Sequence, residues 1–283
     1  MQKPRTISFD GTGTHWECEI IDDIELSKLN TIKAIILDKL DDFTNKYSRF
    51  DDNSLIGKLN TSHYIANPPK EMCEMFCFAK KMFEVSDRAF DITVGGELSA
   101  KGYGQVSNAE KVNHEFWDNI KISDDHIATP LYSVIDFGGF GKGWLIDCFV
   151  DIFRDNGIRQ FIINGGGDLF VQADKPINIA LEHPFDSSLS VGQTLISKGA
   201  LAVSSTAKRA WVQNSKSYNH IINPVNGKSL NGDIISTFIK ADTALIADTM
   251  ATILLIRPDL DQVLSEQFNL KTILLSNDQL KIK

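Results

Sequence analysis

Apolar residues recur at the spacing of an α-helix in four parts of the chain. In the first, the apolar positions 29, 32, 36, 40 and 43 would line one face of a long amphipathic helix. The last ends where a proline stops helical hydrogen bonding, and it begins at residues suited to an N-cap. The predicted helices are Ile24 to Lys46, Glu71 to Val85, Trp144 to Asp155, and one from Asp242 or Thr243 to Ile256.

Short runs of β-branched and other apolar residues lie between these helices. They predict strands at Ser133 to Asp136, Gln160 to Ile163, Ile177 to Leu181, Leu201 to Ser204, Ile234 to Ile239 and Lys271 to Leu275. Interleaved strands and helices indicate an α/β or α+β fold, and periodicity leaves the strand order open. No linker, long charge run or repeat divides the sequence, so we expect one domain over residues 1–283.

Composition narrows the possible partners. The 283 residues are 42% hydrophobic, which suffices for a large core, and the net charge of −8 argues against broad nucleic-acid or anionic-membrane surfaces. The first twenty residues lack the apolar region of a secretory signal, so we expect a cytoplasmic protein without membrane insertion. The four scattered cysteines show no metal-ligand spacing, and we expect them to be reduced packing residues.

Two glycine-rich turns each follow a predicted strand, at Phe137 to Gly143 and at Asn164 to Asp168. Backbone amides in such turns can bind phosphate oxygens, although either turn alone is more often structural. Neither has the spacing of a dinucleotide-binding or P-loop motif. Lys142 favours the ligand-binding interpretation, because a lysine within a glycine turn can reach a phosphate as a point charge.

Four further positions have side chains suited to chemistry. Asp248 and Thr252 lie four residues apart, on one face of the last helix, and their oxygens suit Mg²⁺. Without other context, a locally hydrogen-bonded Asp and a Thr bonded to its own helix are the simpler interpretation. His220 precedes a Pro/Gly turn and could transfer a proton near neutral pH, and Phe50 could stack on a flat ring. By default, His220 would be an ordinary turn residue and Phe50 a core residue.

The motifs, taken in order, resemble those of the ApbE-like FAD:protein FMN transferases. Thr12-Gly13-Thr14 is similar to the family's MGT, and the stretch 136–147, DFGGFGKGWLID, is similar to DxGGIAKGYAVD. The resemblance covers about residues 9 to 256. The other matching segments are Ser48 to Asn60, Phe90 to Gly95, Asn164 to Asp168 (NxGGD), His220 to Gly227 (HIIDPRTG), and Ala247 to Thr252 (ADxxxT).

The resemblance implies roles for particular residues. Asp248, Thr252 and the main-chain carbonyl of Gly141 would hold magnesium, and His220 would take the proton from the acceptor hydroxyl. Lys142 and Asp168 would contact FAD, Asp147 would face its adenosine part, and Phe50 would lie beside the isoalloxazine. The full set expected to contact FAD is Thr12, Phe50, Asp91, Gly139, Lys142, Asp147, Asp168, Ser204 and Thr206.

Three positions depart from the family pattern. Thr12 replaces a methionine, Asn223 replaces the aspartate of HIIDP, and the segment 203–207 reads VSSTA where the family has a TSG-like sequence. A side chain of similar shape at Asn223 keeps its hydrogen-bonding capacity but loses the charge.

The function implied by the resemblance is Mg²⁺-dependent transfer of FMN from FAD to a Thr or Ser of an acceptor flavoprotein, with release of AMP. A hydrolase that splits FAD into FMN and AMP is one alternative, and a non-catalytic FAD-binding protein is another. The implied fold is a single α/β domain of mixed β-sheets covered by helices, similar to the T-fold.

Overall fold

The computed structural model describes residues 4–104, 117–208, 210–213 and 216–280. The chain divides into two compact units, each assembled from separate segments. Unit 1 consists of residues 1–43, 140–205 and 234–283, and unit 2 consists of residues 44–139 and 206–233. The single domain expected over residues 1–283 stays a prediction, because a compact unit need not fold by itself.

The secondary structure confirms an α/β protein. The described strands are β1 (Arg5–Gly11), β2 (Thr14–Ile20), β3 (Tyr64–Ala66), β4 (Lys121–Ile122), β5 (His126–Ala128), β6 (Phe161–Gly165), β7 (Asp168–His183), β8 (Asp186–Ser205), β9 (Ala210–Gln213), β10 (Lys216–Asn219), β11 (Ile222–Asn223), β12 (Lys228–Ser229), β13 (Ile234–Ala241) and β14 (Lys271–Ser276). The described α-helices are α1 (Leu26–Tyr47), α2 (Leu55–Ser62), α3 (Lys70–Val85), α4 (Gly95–Ala100), α5 (Gly141–Asp155), α6 (Ala244–Ile256), α7 (Asp261–Phe268) and α8 (Asn277–Leu280).

The four helices predicted from hydrophobic periodicity are confirmed as α1, α3, α5 and α6. Most of their ends agree with the prediction within two residues. The exception is α5, which begins three residues earlier than expected, because the amide of Trp144 donates to the carbonyl of Phe140 and draws the end of the glycine-rich turn into the helix. Lys142 is therefore a residue of the first helical turn.

The strand predicted at residues 133–136 is wrong. Only an isolated parallel bridge joins Val134 to Val94, and the neighbouring backbone groups bond elsewhere. The amide of Asp136 donates to Ile92, and the amide of Ile135 donates to the side chain of Asn60. The segment is therefore held by hydrogen bonds to the loop residue Ile92 and to the side chain of Asn60. Hydrophobic periodicity reveals neither contact.

Unit 1 contains a seven-stranded sheet in the order β1-β2-β6-β7-β8-β13-β14. Each pair of neighbouring strands in it is antiparallel. α5 packs against β6 and β7, and α6 packs against β8 and β13. The opposite face of the sheet carries an apolar cluster that includes Leu169, Val171, Leu201 and Phe238. The sheet thus presents the start of β7 and the end of β8 to α5 and α6.

Unit 2 contains α2, α3 and α4 with three small antiparallel sheets, of order β3-β5-β4, β10-β9 and β11-β12. Tyr47, Phe76 and Phe137 pack edge to face or tilted in its interior. Strand β10 leads directly to His220, and the two-stranded β11-β12 sheet follows.

The expectations on membrane insertion and on the cysteines can be compared with the structure. Among the described residues, no helix combines the length and the hydrophobicity needed to cross a bilayer. All four cysteines are free, and burial raises the pKa of the Cys18 thiol to about 12. Cys77, however, is exposed, so it is not the packing residue that we expected.

Candidate functional site

A partly buried lysine lies between two buried carboxylates in unit 1. The ammonium of Lys142 donates to Asp168 Oδ2 and lies 3.3 and 3.4 Å from the two carboxylate oxygens of Asp248. The side chains of Asp168 and Asp248 are 3% and 6% exposed, whereas that of Lys142 is 20% exposed. Two negative charges therefore face one positive charge with little water around them.

Main-chain amides hold both carboxylates in place. The amide of Gly143 donates to Asp248 Oδ2 at 2.9 Å, and the amide of Val203 donates to Asp168 Oδ1 at 2.9 Å. The cluster therefore joins the first turn of α5, the start of β7, the end of β8 and the middle of α6. The positions predicted from the glycine-rich turns and from the last helix meet here.

The charges in this cluster are shifted by their surroundings. Burial raises the pKa of Asp248 to about 6, with Asp168 adding to the increase and Lys142 and the Gly143 amide opposing it. Burial alone would lower the pKa of Lys142, but Asp168 and Asp248 outweigh it, so the net direction is upward. These two carboxylates therefore favour the charged form of Lys142, which is the form that can bind an anion.

Hydroxyl groups extend the polar surface along α6. Thr252 Oγ1 lies 3.1 Å from Ser204 Oγ, one helical turn from Asp248. Most of α6 is buried, yet the side chain of Thr252 is only partly buried. Thr252 bonds across to β8 instead of to its own helix, so the simpler interpretation of a threonine bonded to the preceding turn does not describe it.

Asp147 links α5 to the beginning of α6. Its carboxylate accepts the amides of Ala244 and Leu245 at 2.8 and 2.9 Å, which satisfies two free donors in the first turn of that helix. Burial raises the pKa of Asp147 to about 6, although the two amides act in the opposite direction. The described contacts of Asp147 are thus those of a helix cap that holds α6, and with it Asp248, against α5.

The turn at residues 164–168 packs closely on the β1-β2 hairpin. A Cβ atom on Gly165 would lie 2.7 Å from the ring of Trp16, and Gly166 has a φ of +71° beside Thr14. Thr12 lies at the hairpin turn, where its hydroxyl donates to Gly11 and accepts from the Trp16 indole. The glycines are therefore needed for close packing, and Thr12 is fixed by its own hairpin.

The remaining predicted residues belong to unit 2. Phe50 is 62% exposed, contrary to its default interpretation as a core residue. The carboxylate of Asp91 accepts from the amide and hydroxyl of Thr93, and Gly139 packs beside Phe90. Thr206 follows β8, and the partly buried His220 follows β10.

Unit 2 contains a buried ion pair that was not predicted from the sequence. Arg49 Nε lies 2.5 Å from Asp136 Oδ2, and the two side chains are 5% and 11% exposed. The residues are 87 positions apart, so no helical or strand spacing connects them. The signal in the sequence was chemical, because Arg49 directly precedes the aromatic Phe50 and Asp136 directly precedes the first glycine-rich turn.

The oxygen donors of unit 1 suit a hard divalent cation. A carboxylate, a partly buried hydroxyl and a main-chain carbonyl, from Asp248, Thr252 and Gly141, supply the oxygen ligands that Mg²⁺ prefers. Among the described residues, no group of three or more His, Cys, Asp or Glu side chains forms a metal cage. The donors therefore fit a cation that completes its shell with water and substrate phosphate.

The sequence of this chain is similar to those of known proteins. A sequence model of the ApbE family matches residues 12–272. A relative from Vibrio cholerae named FAD:protein FMN transferase is 23% identical over 264 residues, which cover 86% of this chain and 78% of the relative. An Escherichia coli relative of the same name is 22% identical and covers 86% of this chain and 76% of its own.

Solved structures show the same fold. The crystal structure of the ApbE protein from Thermotoga maritima matches with a TM-score of 0.83 and 21% identity, covering 99% of both chains. The flavin transferase ApbE from Vibrio cholerae matches with a TM-score of 0.80 and 20% identity, covering 97% of this chain and 94% of its own.

Proposed function

The chain belongs to the ApbE family, and on this premise we propose that it is an FAD:protein FMN transferase. The observation that supports the proposal most is the cluster of Lys142, Asp168 and Asp248 at the start of α5. This cluster offers one fixed cation and hard oxygen ligands beside a glycine-rich turn, which is what a pyrophosphate group requires.

In the proposed reaction, a hydroxyl oxygen of an acceptor Thr or Ser attacks the phosphorus on the FMN side of the FAD pyrophosphate. A phosphoester bond forms between that oxygen and FMN, the bond from phosphorus to the bridging oxygen breaks, and AMP leaves with the bridging oxygen. The hydroxyl proton passes to a base. Such a transfer depends mainly on positioning and on neutralising charge.

Lys142 supplies the positive charge from the protein. Asp168 accepts a hydrogen bond from its ammonium, and the Val203 amide fixes Asp168 in turn, so the ammonium has a defined position before substrate binds. A positioned charge loses little energy to reorganisation when negative charge develops on the phosphate oxygens. We assign Lys142 to the pyrophosphate and Asp168 to the orientation of Lys142.

Magnesium belongs to the same proposal, with Asp248, Thr252 and the Gly141 carbonyl as its protein ligands. When bound, the metal would supply positive charge for the pyrophosphate oxygens. The Gly143 amide orients Asp248, and Ser204 orients the Thr252 hydroxyl. These contacts present both side-chain oxygens from fixed positions on α6.

We assign the base to His220. An imidazole titrates near neutral pH and can therefore accept the acceptor's hydroxyl proton. Replacing His220 with Ala should slow transfer while FAD stays bound, because the phosphate-binding groups belong to other residues. Titration of the variant with FAD, followed by flavin fluorescence, measures the binding separately from the transfer.

The function is tested by incubating the protein with FAD, Mg²⁺ and a candidate acceptor domain. Intact-mass measurement should show the acceptor gaining one FMN phosphoryl group, with AMP appearing in equal amount. Free FMN without an acceptor would instead identify a hydrolase. FAD that remains intact for hours with Mg²⁺ and acceptor present would identify a binding protein.

An aspartate variant tests the metal ligand in the same assay. Asp248→Asn keeps an oxygen that can accept from the Gly143 amide, but it loses the charge, so we expect transfer to be abolished. Asp259→Asn is the matched control, because Asp259 is a surface residue paired with Arg257. Transfer at the normal rate by Asp248→Asn would contradict the assignment of the metal ligands.

The acceptor and the location remain predictions from the sequence. A protein acceptor with a Thr or Ser attachment site is expected, and fragment mass analysis of the modified acceptor would identify the residue. The expected cytoplasmic location is tested by fractionating the source cells.

A further inference from the structure

The exposed ring of Phe50 rests on a buried arginine. The guanidinium carbon of Arg49 lies 4.3 Å from the centre of the Phe50 ring, while the Arg49 side chain itself is 5% exposed. Phe50, in contrast, is 62% exposed. A cation over one ring face and a largely open side chain together make a supported platform on the surface of unit 2.

Three acceptors hold the guanidinium in a single orientation. Nε donates to Asp136 at 2.5 Å, Nη1 donates to Ser99 Oγ at 3.1 Å, and Nη2 donates to the carbonyl of Tyr103 at 2.7 Å. Because the guanidinium is planar, donors on its different nitrogens fix both its place and its tilt. The plane on which Phe50 rests is therefore set by contacts outside Phe50.

Further neighbours limit the movement of the Phe50 ring. Tyr103 meets it edge to face at 6.2 Å, and a Cβ atom on Gly104 would lie only 2.6 Å from its edge. Gly104 also has a φ of +97°, which suits glycine. The ring is thus bounded on one face by Arg49 and along its edge by residues 103 and 104.

The same arginine is connected to the first glycine-rich turn. Asp136 accepts from Arg49 with one carboxylate oxygen and from the Gly138 amide with the other, both at 2.5 Å. The Arg49–Asp136 pair therefore fixes the beginning of the turn as well as the platform. One buried contact therefore joins two segments that the family resemblance predicts to lie beside FAD.

From these contacts we infer that Arg49 is a positioning residue that sets the Phe50 ring for stacking on the isoalloxazine of FAD. This inference rests on the proposed function, because it requires FAD as the ligand. Arg49 itself does not touch the flavin in this arrangement. It acts through Phe50, so its contribution should appear in flavin binding and should depend on the Phe50 ring.

A double-mutant cycle tests this dependence. Arg49→Gln alone would leave Asp136 buried without its cation, so Asp136→Asn is introduced together with it to avoid an unpaired charge. We expect R49Q/D136N to raise the dissociation constant for FAD about tenfold, the scale of a lost cation–π and ordering contribution. Phe50→Leu, which removes the ring, should have a similar effect.

The combined R49Q/D136N/F50L variant decides the inference. If Arg49 acts through Phe50, the triple variant should bind FAD no more weakly than F50L, because coupled changes are not additive. Effects that multiply would overturn the inference. Melting temperatures of all variants establish whether each is folded under the conditions of the titration.

Ligand choice separates a specific effect from general damage. Binding of AMP should be the same in R49Q/D136N as in the unmodified protein, since AMP lacks the isoalloxazine and Asp136→Asn keeps an oxygen that can accept from the Gly138 amide. A loss of AMP binding equal to the loss of FAD binding would indicate a disturbed fold and would overturn the inference. Arg154→Gln, which removes an arginine 5.5 Å from the Phe170 ring, is the matched control and should leave FAD binding unchanged.

Failure of the proposed function is recognised independently. If the unmodified protein does not bind FAD, both the proposed function and the role of Arg49 are wrong. If the unmodified protein binds FAD and R49Q/D136N binds it equally well, the function stands and the role of Arg49 is wrong. Arg49→Lys should bind FAD as weakly as R49Q/D136N, because an ammonium cannot reproduce the planar fork of the guanidinium.

Discussion

At the scale of single residues, we predict that Lys142 contributes to both stability and ligand binding. It neutralises two carboxylates whose side chains are almost completely buried, so its removal would leave Asp168 and Asp248 as uncompensated charges. We predict that Lys142→Met lowers the free energy of unfolding by about 3 kcal/mol, a loss typical of breaking a buried ion pair. FAD binding should be lost as well.

Urea unfolding measures the change in stability. Lys70→Met is the control, because Lys70 pairs with Glu74 on the surface and is 90% exposed. Its effect should be about 0.5 kcal/mol or less. Equal losses of unfolding free energy in the two variants would contradict the prediction that Lys142 stabilises the fold by neutralising Asp168 and Asp248.

The pKa of Asp147 gives a prediction with a defined sign. Its folded-state pKa of about 6 lies above its ordinary value of 3.8, mainly because of burial. A carboxyl group whose pKa rises on folding holds its proton more tightly in the folded state. Its contribution to the free energy of unfolding therefore increases as the pH falls through 6 towards 3.8.

The matched variant is Asp147→Asn, which has nearly the same shape and does not titrate. Between about pH 7.5 and about pH 5, the unmodified protein should gain about 1 kcal/mol of unfolding free energy relative to this variant. Urea unfolding at the two pH values measures the difference. A difference that stays constant, or that has the opposite sign, would refute the raised pKa.

At the scale of the elements, the close contact between α5 and α6 forms the site. A Cβ atom on Gly143 would lie 2.5 Å from the carbonyl oxygen of Ala244, and its three nearest neighbours would all be backbone atoms of Ala244 and Leu245. Gly143→Ala should therefore push the two helices apart and weaken the bond from the Gly143 amide to Asp248. We expect a stability loss of about 2 kcal/mol, as in overpacked cores, and a larger loss of transfer activity.

Gly232→Ala is the control for that change. Position 232 has nothing within 4 Å of the added Cβ atom and no left-handed φ. Thermal unfolding and transfer rates of the two variants should therefore differ clearly. Normal transfer by Gly143→Ala would show that the spacing of the helices is not critical.

The elements also show which kinds of pattern predict structure. The helices were predicted well because their buried faces repeat at helical spacing, as for Ile32, Ile36 and Leu40 in α1. The hairpin of β7 and β8 was predicted only as two short strands. The polar residues of β7, Asp174 to Pro176, are exposed and have the composition of a loop, although the strand continues through them.

The individual residues of the candidate site were predicted from the sequence, but the contacts between them were not. Lys142, Asp168 and Asp248 were each identified from local motifs and from a family resemblance. Their mutual ion pairs could not be predicted, because Lys142 is 26 positions from Asp168 and 106 positions from Asp248. Asp147 shows the same limit, since its role as a cap of α6 depends on how two distant helices pack.

At the scale of the whole molecule, the negative net charge bears on how an anionic ligand can bind near Lys142. A chain with a net charge of −8 does not attract an anionic dinucleotide over long distances. We therefore propose that binding depends on local groups, which in unit 1 would be Lys142, main-chain amides and a metal held by oxygen ligands. The same acidic chain agrees with a small-molecule substrate instead of a nucleic acid.

The most direct test is a crystal structure of the protein grown with FAD and Mn²⁺, with the metal located by anomalous scattering. We predict one metal peak bound by Asp248 and Thr252, and the FAD pyrophosphate within hydrogen-bond distance of the Lys142 ammonium. A metal peak and a bound pyrophosphate that both lie away from α6 and from the start of α5 would contradict the central claim.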